Sequence, residues 1–164
     1  MRARKYTEGV AYLALMLGLA VIGIVASSTV TLGVLVQRRA AEQALLDIGL
    51  EFQHALASYI SATPPGKAPY PRTIADLLQD PRSAQLRRHL RKLYADPLTG
   101  QAEWGLITAP DGQGFVGVYS RSQAKPIKRA NFDSELVGFD NCAHYADWHF
   151  VYSAPANAII NFSN

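Results

Sequence analysis

VAYLALMLGLAVIGIVASSTVTLGVLV, residues 10–36, runs for 27 positions without a charged side chain. Its most polar members are Ser27, Ser28, Thr29 and Thr31. A helix crossing the hydrocarbon core of a bilayer takes roughly 20 apolar residues, whereas the apolar region of a secretory signal is only about 7–15 long. The run is long enough for the first and too long for the second. No small-x-small cleavage site with turn-forming residues follows it, so removal at its far end is disfavoured. The pattern predicts a membrane-spanning helix over residues 10–37. Arg2, Arg4 and Lys5 precede the run, and Arg38 and Arg39 follow it. A short tail with three basic residues favours the tail held inside, with residues 38–164 translocated.

The helix is predicted to continue past Arg39. Apolar residues recur at Ala41, Leu45, Ile48, Phe52, Leu56 and Tyr59, steps of three and four that line one face of an amphipathic helix. Glu42, Gln43, Asp47, Glu51 and Gln53 fall largely off that stripe. The first hard breaker is Pro64–Pro65. Residues 38–62 therefore read as the second half of one helix that begins near residue 10 and ends near residue 61. Its stripe is turned toward a small domain formed by residues 63–164. Leu45, Ile48, Phe52 and Leu56 are the residues expected to carry the helix packing.

Charge is unevenly placed. The net charge is +3, of which the first nine residues contribute +2 through three basic side chains and Glu8. Residues 38–164 hold 13 basic and 12 acidic side chains, which leaves +1. The soluble part is therefore not a nucleic-acid binder by charge. Cys142 is the only cysteine, so no intrachain disulfide can form, and burial as a small residue is the simplest role for it.

Beyond the proline-rich stretch 63–71, Thr73 is placed to cap a short helix, IADLLQD, with Ile74, Leu77 and Leu78 on one face. Asp80–Pro81 ends it. RSAQLRRHLRKLY (82–94) then carries Leu86, Leu90 and Leu93 at helical spacing, with Arg87, Arg88, Arg91 and Lys92 on the other sides. Such a basic segment can seek anionic headgroups or acidic partners, or simply be solvated. DPLTG (96–100) has turn chemistry throughout. EWGLIT, the turn 110–114, FVGVYS and WHFVYS (148–153) read as a hairpin and a third strand, separated by the irregular stretch 121–146. The expected fold is α+β: a long N-terminal helix, membrane-spanning in its first half, packed on a small antiparallel sheet with short helices.

Chemistry-bearing residues are few. His144, Asp147 and His149, with Asp140 and Cys142 nearby, could suggest a metal, but their spacing matches no zinc pattern and a structural role is favoured. Asp133, Glu135, Asp140 and Asn141 could offer oxygen ligands to calcium, without the regular alternation of a calcium loop. There is no phosphate-binding glycine loop, GxSxG, HExxH or CxxC, and hence no cofactor signature. Tyr94, Trp104, Tyr119, Tyr145, Trp148 and Tyr152 read as sheet and core aromatics. Nothing in this pattern argues for an enzyme.

The chain as a whole resembles a known family. A basic leader ending in Gly9, followed by a helix first lipid-like and then amphipathic, is similar to the start of type IV pilins and type II secretion pseudopilins. YPRTIADLLQDPR, LRKLYADPLTGQAEWGLI, GVYSRSQAKPIKRANF and YADWHFVY resemble the body of pseudopilin-like secretion proteins, with 90–107 the most specific run. The resemblance implies a bacterial inner-membrane protein with residues 1–9 as a cytoplasmic leader and residues 63–164 as a periplasmic pilin-like domain. It implies cleavage by the prepilin peptidase between Gly9 and Val10 and methylation of the new N-terminus. It implies partners in the secretion assembly platform and in other pseudopilins or copies of itself, joined through the N-terminal helices into a short filament for protein export. Ala14 stands where the family's usual Glu would pair with a neighbour's N-terminus, Val10 replaces Phe or Met, and Glu8 replaces a neutral or basic residue. Ala14 then belongs to the helix-packing surface, and a minor or tip-like role fits better than a repeated shaft subunit. The alternative is an uncleaved single-pass protein presenting a periplasmic pilin-like binding domain.

Overall fold

Helix α1 occupies Arg4–Ser61. The computed structural model describes residues 4–152, and the side chains of residues 4–8 and 23–32 lie outside what it describes. The leader's charged side chains and the side chains in the middle of the predicted span thus lie outside what is described, as does Ser153 at the end of the third predicted strand. Among the described residues no helix is long and apolar enough to cross a membrane. The helical backbone begins earlier than residue 10 and takes in Arg4 to Gly9. It ends just before Pro64–Pro65, where Ala62 N donates to Ser58 O at 3.2 Å and Thr63 N to Ile60 O at 3.1 Å.

The chain divides into two compact units, Met1–Ala40 and Ala41–Asn164. In the first, the described side chains are exposed throughout, with Val10 and Leu13 each 70% exposed and Leu17 67%. In the second, helical residues 42–59 bury Leu45, Leu46, Phe52, Ala55, Leu56 and Tyr59. The predicted packing residues Leu45, Phe52 and Leu56 are fully inside, and Ile48 packs on the core from its rim. The buried face is wider than the apolar stripe: it also takes in Glu42 and Gly49. Gly49 is required by close approach, because a Cβ there would lie 2.0 Å from Phe150 Cε1.

The helix packs on a three-stranded antiparallel sheet of order β1-β2-β3, with β1 at Gly105–Thr108, β2 at Phe115–Tyr119 and β3 at Phe150–Val151. Gly105 pairs with Tyr119 and Leu106 with Val118, and a bulge falls between Ile107 and Thr108. The hairpin closes as its residues dictate: Ala109 N donates to Gly114 O and Gln113 N to Asp111 Oδ1, at 3.0 and 2.8 Å. β3 is shorter than predicted. Trp148, instead of joining it, stacks on Phe139 at 5.4 Å and meets Tyr145 edge-on at 5.0 Å.

α2 (Ile74–Leu78) forms as predicted after Thr73, with Asp76 Oδ2 accepting from the Arg72 and Thr73 N–H groups at 2.8 and 3.1 Å. Residues 82–94, in contrast, are not helical. Of their three spaced leucines only Leu90 is buried, while Leu86 and Leu93 are 66% and 48% exposed. The N–H groups of His89 and Leu90 both donate to Leu77 O, at 2.9 and 2.8 Å, and Asp80 N donates to Arg87 O at 2.9 Å. Those bonds to the end of α2 replace the intrahelical ladder. A 3₁₀ turn at Tyr145–Asp147 breaks the otherwise irregular stretch 121–146.

Candidate functional site

The end of α1 is closed by a buried polar cluster. Asp80 follows α2 and is 4% exposed. Its oxygens accept from Arg82 Nε at 2.9 Å and Arg82 Nη2 at 3.0 Å. Arg82 spends its remaining N–H groups on Tyr59 O, Thr63 Oγ1 and Ala68 O, at 2.8, 2.9 and 3.0 Å. The guanidinium therefore satisfies a free carbonyl of the last turn of α1 and places a cation where the helix dipole favours one. It also lies 3.5 Å over the Tyr59 ring. The Arg82 hydrogen bonds hold the Asp80 carboxyl at about 2, below its ordinary 3.8. Burial raises the Tyr59 hydroxyl above its ordinary value.

His89 bridges this cluster to the helix, with Nδ1 2.8 Å from Ser58 Oγ and Nε2 3.4 Å from Asp80 Oδ2. Burial pushes its pKa below the usual histidine value. Asp80, His89 and Ser58 stand in the order of a nucleophile relay. However, both Asp80 oxygens are occupied by Arg82, and Ser58 sits in the carbonyl-rich last turn, where the field has the wrong sign for a developing oxyanion. Neither of two clefts among the described residues, of about 340 and 440 Å³, is lined by Ser58 or His89. What the cluster does is fasten the 82–93 loop to α1.

A second node lies at the other end of the domain-facing helix. Glu42, 5% exposed, accepts from Ile127 N at 2.7 Å, Lys128 N at 3.0 Å and the Tyr145 hydroxyl at 2.7 Å. A third is the 96–100 turn. There Asp96 Oδ1 accepts from Leu98 N at 2.9 Å, and Oδ2 accepts from the buried Ser120 hydroxyl at 2.7 Å. Sequence reading places Glu42 off the apolar stripe, makes Asp80 only a helix stop and gives no role to Arg82 or Ser120. The correction for Glu42 has a simple cause: two loop N–H groups and a phenol make a site for its carboxylate inside.

Among the described residues, no three His, Cys, Asp or Glu side chains come together as a metal ligand set. His144 N donates to Asp147 Oδ2 at 2.8 Å, which closes the 3₁₀ turn, and the His149 ring lies 5.5 Å from Tyr119. The Cys142 thiol donates to Gly138 O at 3.3 Å; burial, with Asp147 and Asp140 nearby, raises its pKa. Of the oxygen-bearing residues considered for calcium, Glu135 faces His54 at 3.3 Å and Asn141 N donates to Arg129 O at 3.0 Å. Gly9, Val10 and Ala14 are exposed along α1. No protein-family model matches the chain, and no curated protein or solved structure does.

Proposed function

We propose that the chain is a pseudopilin-like subunit of a type II protein secretion or type IV pilus-like system, contributing to a short periplasmic filament used in export. One observation carries the reading. Within α1, described apolar residues from Val10 to Val36 are 49–70% exposed, while Leu45, Phe52 and Leu56 are 0% exposed in an α+β domain with a three-stranded antiparallel sheet. Exposed apolar surface of that extent requires an apolar partner, and lipid or neighbouring helices meet that requirement equally. In this reading residues 10–37 span the inner membrane with the N-terminus cytoplasmic, the prepilin peptidase cuts after Gly9, and Val10 is methylated. Ala14 removes the carboxylate that would pair with a neighbouring N-terminus, which favours a minor or tip-like subunit. The same Ala14 supports the second reading, an uncleaved anchor presenting the domain to a partner.

The test is the intact mass and N-terminal sequence of the protein taken from membranes of cells with an active prepilin peptidase. A chain starting at methylated Val10 is expected, and Gly9→Trp should block that processing. Retention of Met1–Gly9 in the unsubstituted chain would leave only the anchor.

A further inference from the structure

Tyr59, in the last turn of α1, keeps its ring inside the domain and its hydroxyl at the surface. The residue is 2% exposed, with His89 edge-on to its ring at 5.3 Å and the Arg82 guanidinium over the ring at 3.5 Å. Its hydroxyl has no hydrogen-bond partner among the described residues, although a phenol set this deeply is normally paired. Among those residues, the side-chain polar atom that is both unpaired and sealed from solvent is Trp148 Nε1. The Tyr59 hydroxyl is therefore not sealed: it opens onto the cleft of about 440 Å³ that Tyr59 lines.

The walls of this cleft are fixed. Arg82 ties α1 to the 67–73 segment by bonding both Tyr59 O and Ala68 O. Pro71 O accepts from Phe115 N at 2.9 Å, which holds the same segment against β2. Lys67, Tyr70, Arg72, Asp76 and Pro81 complete the lining that matters. Asp76 is already committed, with Oδ1 accepting from the Thr73 hydroxyl at 3.0 Å and Oδ2 from the Arg72 and Thr73 N–H groups. The Lys67 ammonium, the Arg72 guanidinium and the Tyr70 hydroxyl have no hydrogen-bond or ion-pair partner among the described residues. Burial raises the Tyr59 hydroxyl against the opposing pull of the Arg82 and Arg72 charges, so it keeps its proton and can donate it.

The cleft thus offers donors and positive charge. Asp80 neutralises Arg82, which leaves Lys67 and Arg72 as two cations against Asp76. A carboxylate matches this set, since a guanidinium fork grips its two oxygens and a phenol adds a third donor. Lys67, Arg72 and Pro81 are exposed, so only the head of a ligand would be enclosed, whereas small-metabolite sites enclose most of theirs. A polypeptide fits that division, its carboxylate held inside and its body resting on the Tyr70 ring and Pro81. We propose that this cleft is a binding site for a carboxylate carried by a partner polypeptide, with Arg72 and Lys67 pairing its charge and the Tyr59 hydroxyl donating to one of its oxygens. The site goes beyond the filament reading and stands whether α1 serves a filament or an anchor.

The test uses the full-length chain in nonionic detergent micelles at pH 7, labelled with ¹³C at tyrosine Cζ. Four probes are titrated: acetyl-Ala-Ala-Ala with a free C-terminus, acetyl-Ala-Glu-Ala amide, acetyl-Ala-Gln-Ala amide and inorganic phosphate. The Tyr59 and Tyr70 resonances, assigned by their loss in Tyr59→Phe and Tyr70→Phe, should move with one or both carboxylate peptides. Which of the two moves them tells a chain end from an acidic side chain. The uncharged Gln peptide should bind at least about tenfold more weakly. Arg72→Gln, and Tyr59→Phe followed at Tyr70, should each weaken carboxylate binding about tenfold. Arg91→Gln, exposed and outside the cleft, should leave it unchanged. Urea midpoints equal to that of the unsubstituted chain show that the variants are folded. No response, an equal response to the Gln peptide, a stronger response to phosphate, or equal losses in Arg91→Gln and Arg72→Gln would overturn the proposal.

Discussion

Glu42 Oε2 lies 2.7 Å from the Tyr145 hydroxyl, which ties α1 to a residue 103 positions later. The same carboxylate takes the N–H groups of Ile127 and Lys128. Removing it takes an acceptor from two half-buried N–H groups and from the hydroxyl of buried Tyr145, and a buried group left unpaired costs about 1–3 kcal/mol. Glu42→Ala should therefore lower stability by about 3 kcal/mol or more, and Tyr145→Phe by about 1–2 kcal/mol. Urea unfolding of the full-length chain, followed by Trp104 and Trp148 fluorescence, measures both. The double variant should lose less than the sum; strict additivity would mean that the pair is not coupled.

Gly49 gives a test by sign. In an open helix, Gly→Ala stabilises by about 0.5–1 kcal/mol. Here the added Cβ meets the Phe150 ring at 2.0–2.4 Å, and Phe150 is fully buried. Gly49→Ala should instead destabilise by about 2–3 kcal/mol, the cost of overpacking. Adding Phe150→Leu should return part of the loss. Stabilisation by Gly49→Ala in the same unfolding measurement would contradict the close packing of α1 on β3.

These residues also mark where sequence patterns stop being legible. Periodicity located the Leu45–Phe52–Leu56 stripe because burial of apolar side chains is local to one helix face. It could not place Glu42 inside, since the groups that bind its carboxylate come from residues 127, 128 and 145. The DPLTG turn was readable because Asp96 bonds Leu98, two residues on. The segment 82–94 was misread because its leucine spacing suits a helix, whereas its backbone is claimed by Leu77 O, a partner that no local pattern reveals. Gln53 falls off the apolar stripe, yet its amide donates to Val151 O at 3.0 Å, again across a long sequence separation.

Arg82 separates charge from geometry. A lysine keeps the cation but cannot bond Asp80 twice while reaching Tyr59 O, Thr63 Oγ1 and Ala68 O. Arg82→Lys should cost about 2–3 kcal/mol and loosen the 82–93 loop. Amide hydrogen exchange would register the second effect at His89 and Leu90, whose N–H groups bond Leu77 O. Protection there equal to the unsubstituted chain would show that charge alone holds the clasp.

Acid should release this clasp in two separate windows. His89 is held below its ordinary value by burial, so the unfolded chain takes up its proton first as pH falls through about 6.5. Unfolding then binds a proton, and stability declines from there down to the folded pKa of the ring. Asp80 contributes stability above its ordinary 3.8, which is lost as pH falls toward about 2. A shift of that size corresponds to about 2 kcal/mol. Urea midpoints taken from pH 8 to pH 2.5 should fall more steeply between pH 7 and 5 in the unsubstituted chain than in His89→Gln. The decline below pH 4 should persist in His89→Gln and flatten in Asp80→Asn. Identical profiles for the three proteins would mean that neither group titrates as part of the clasp.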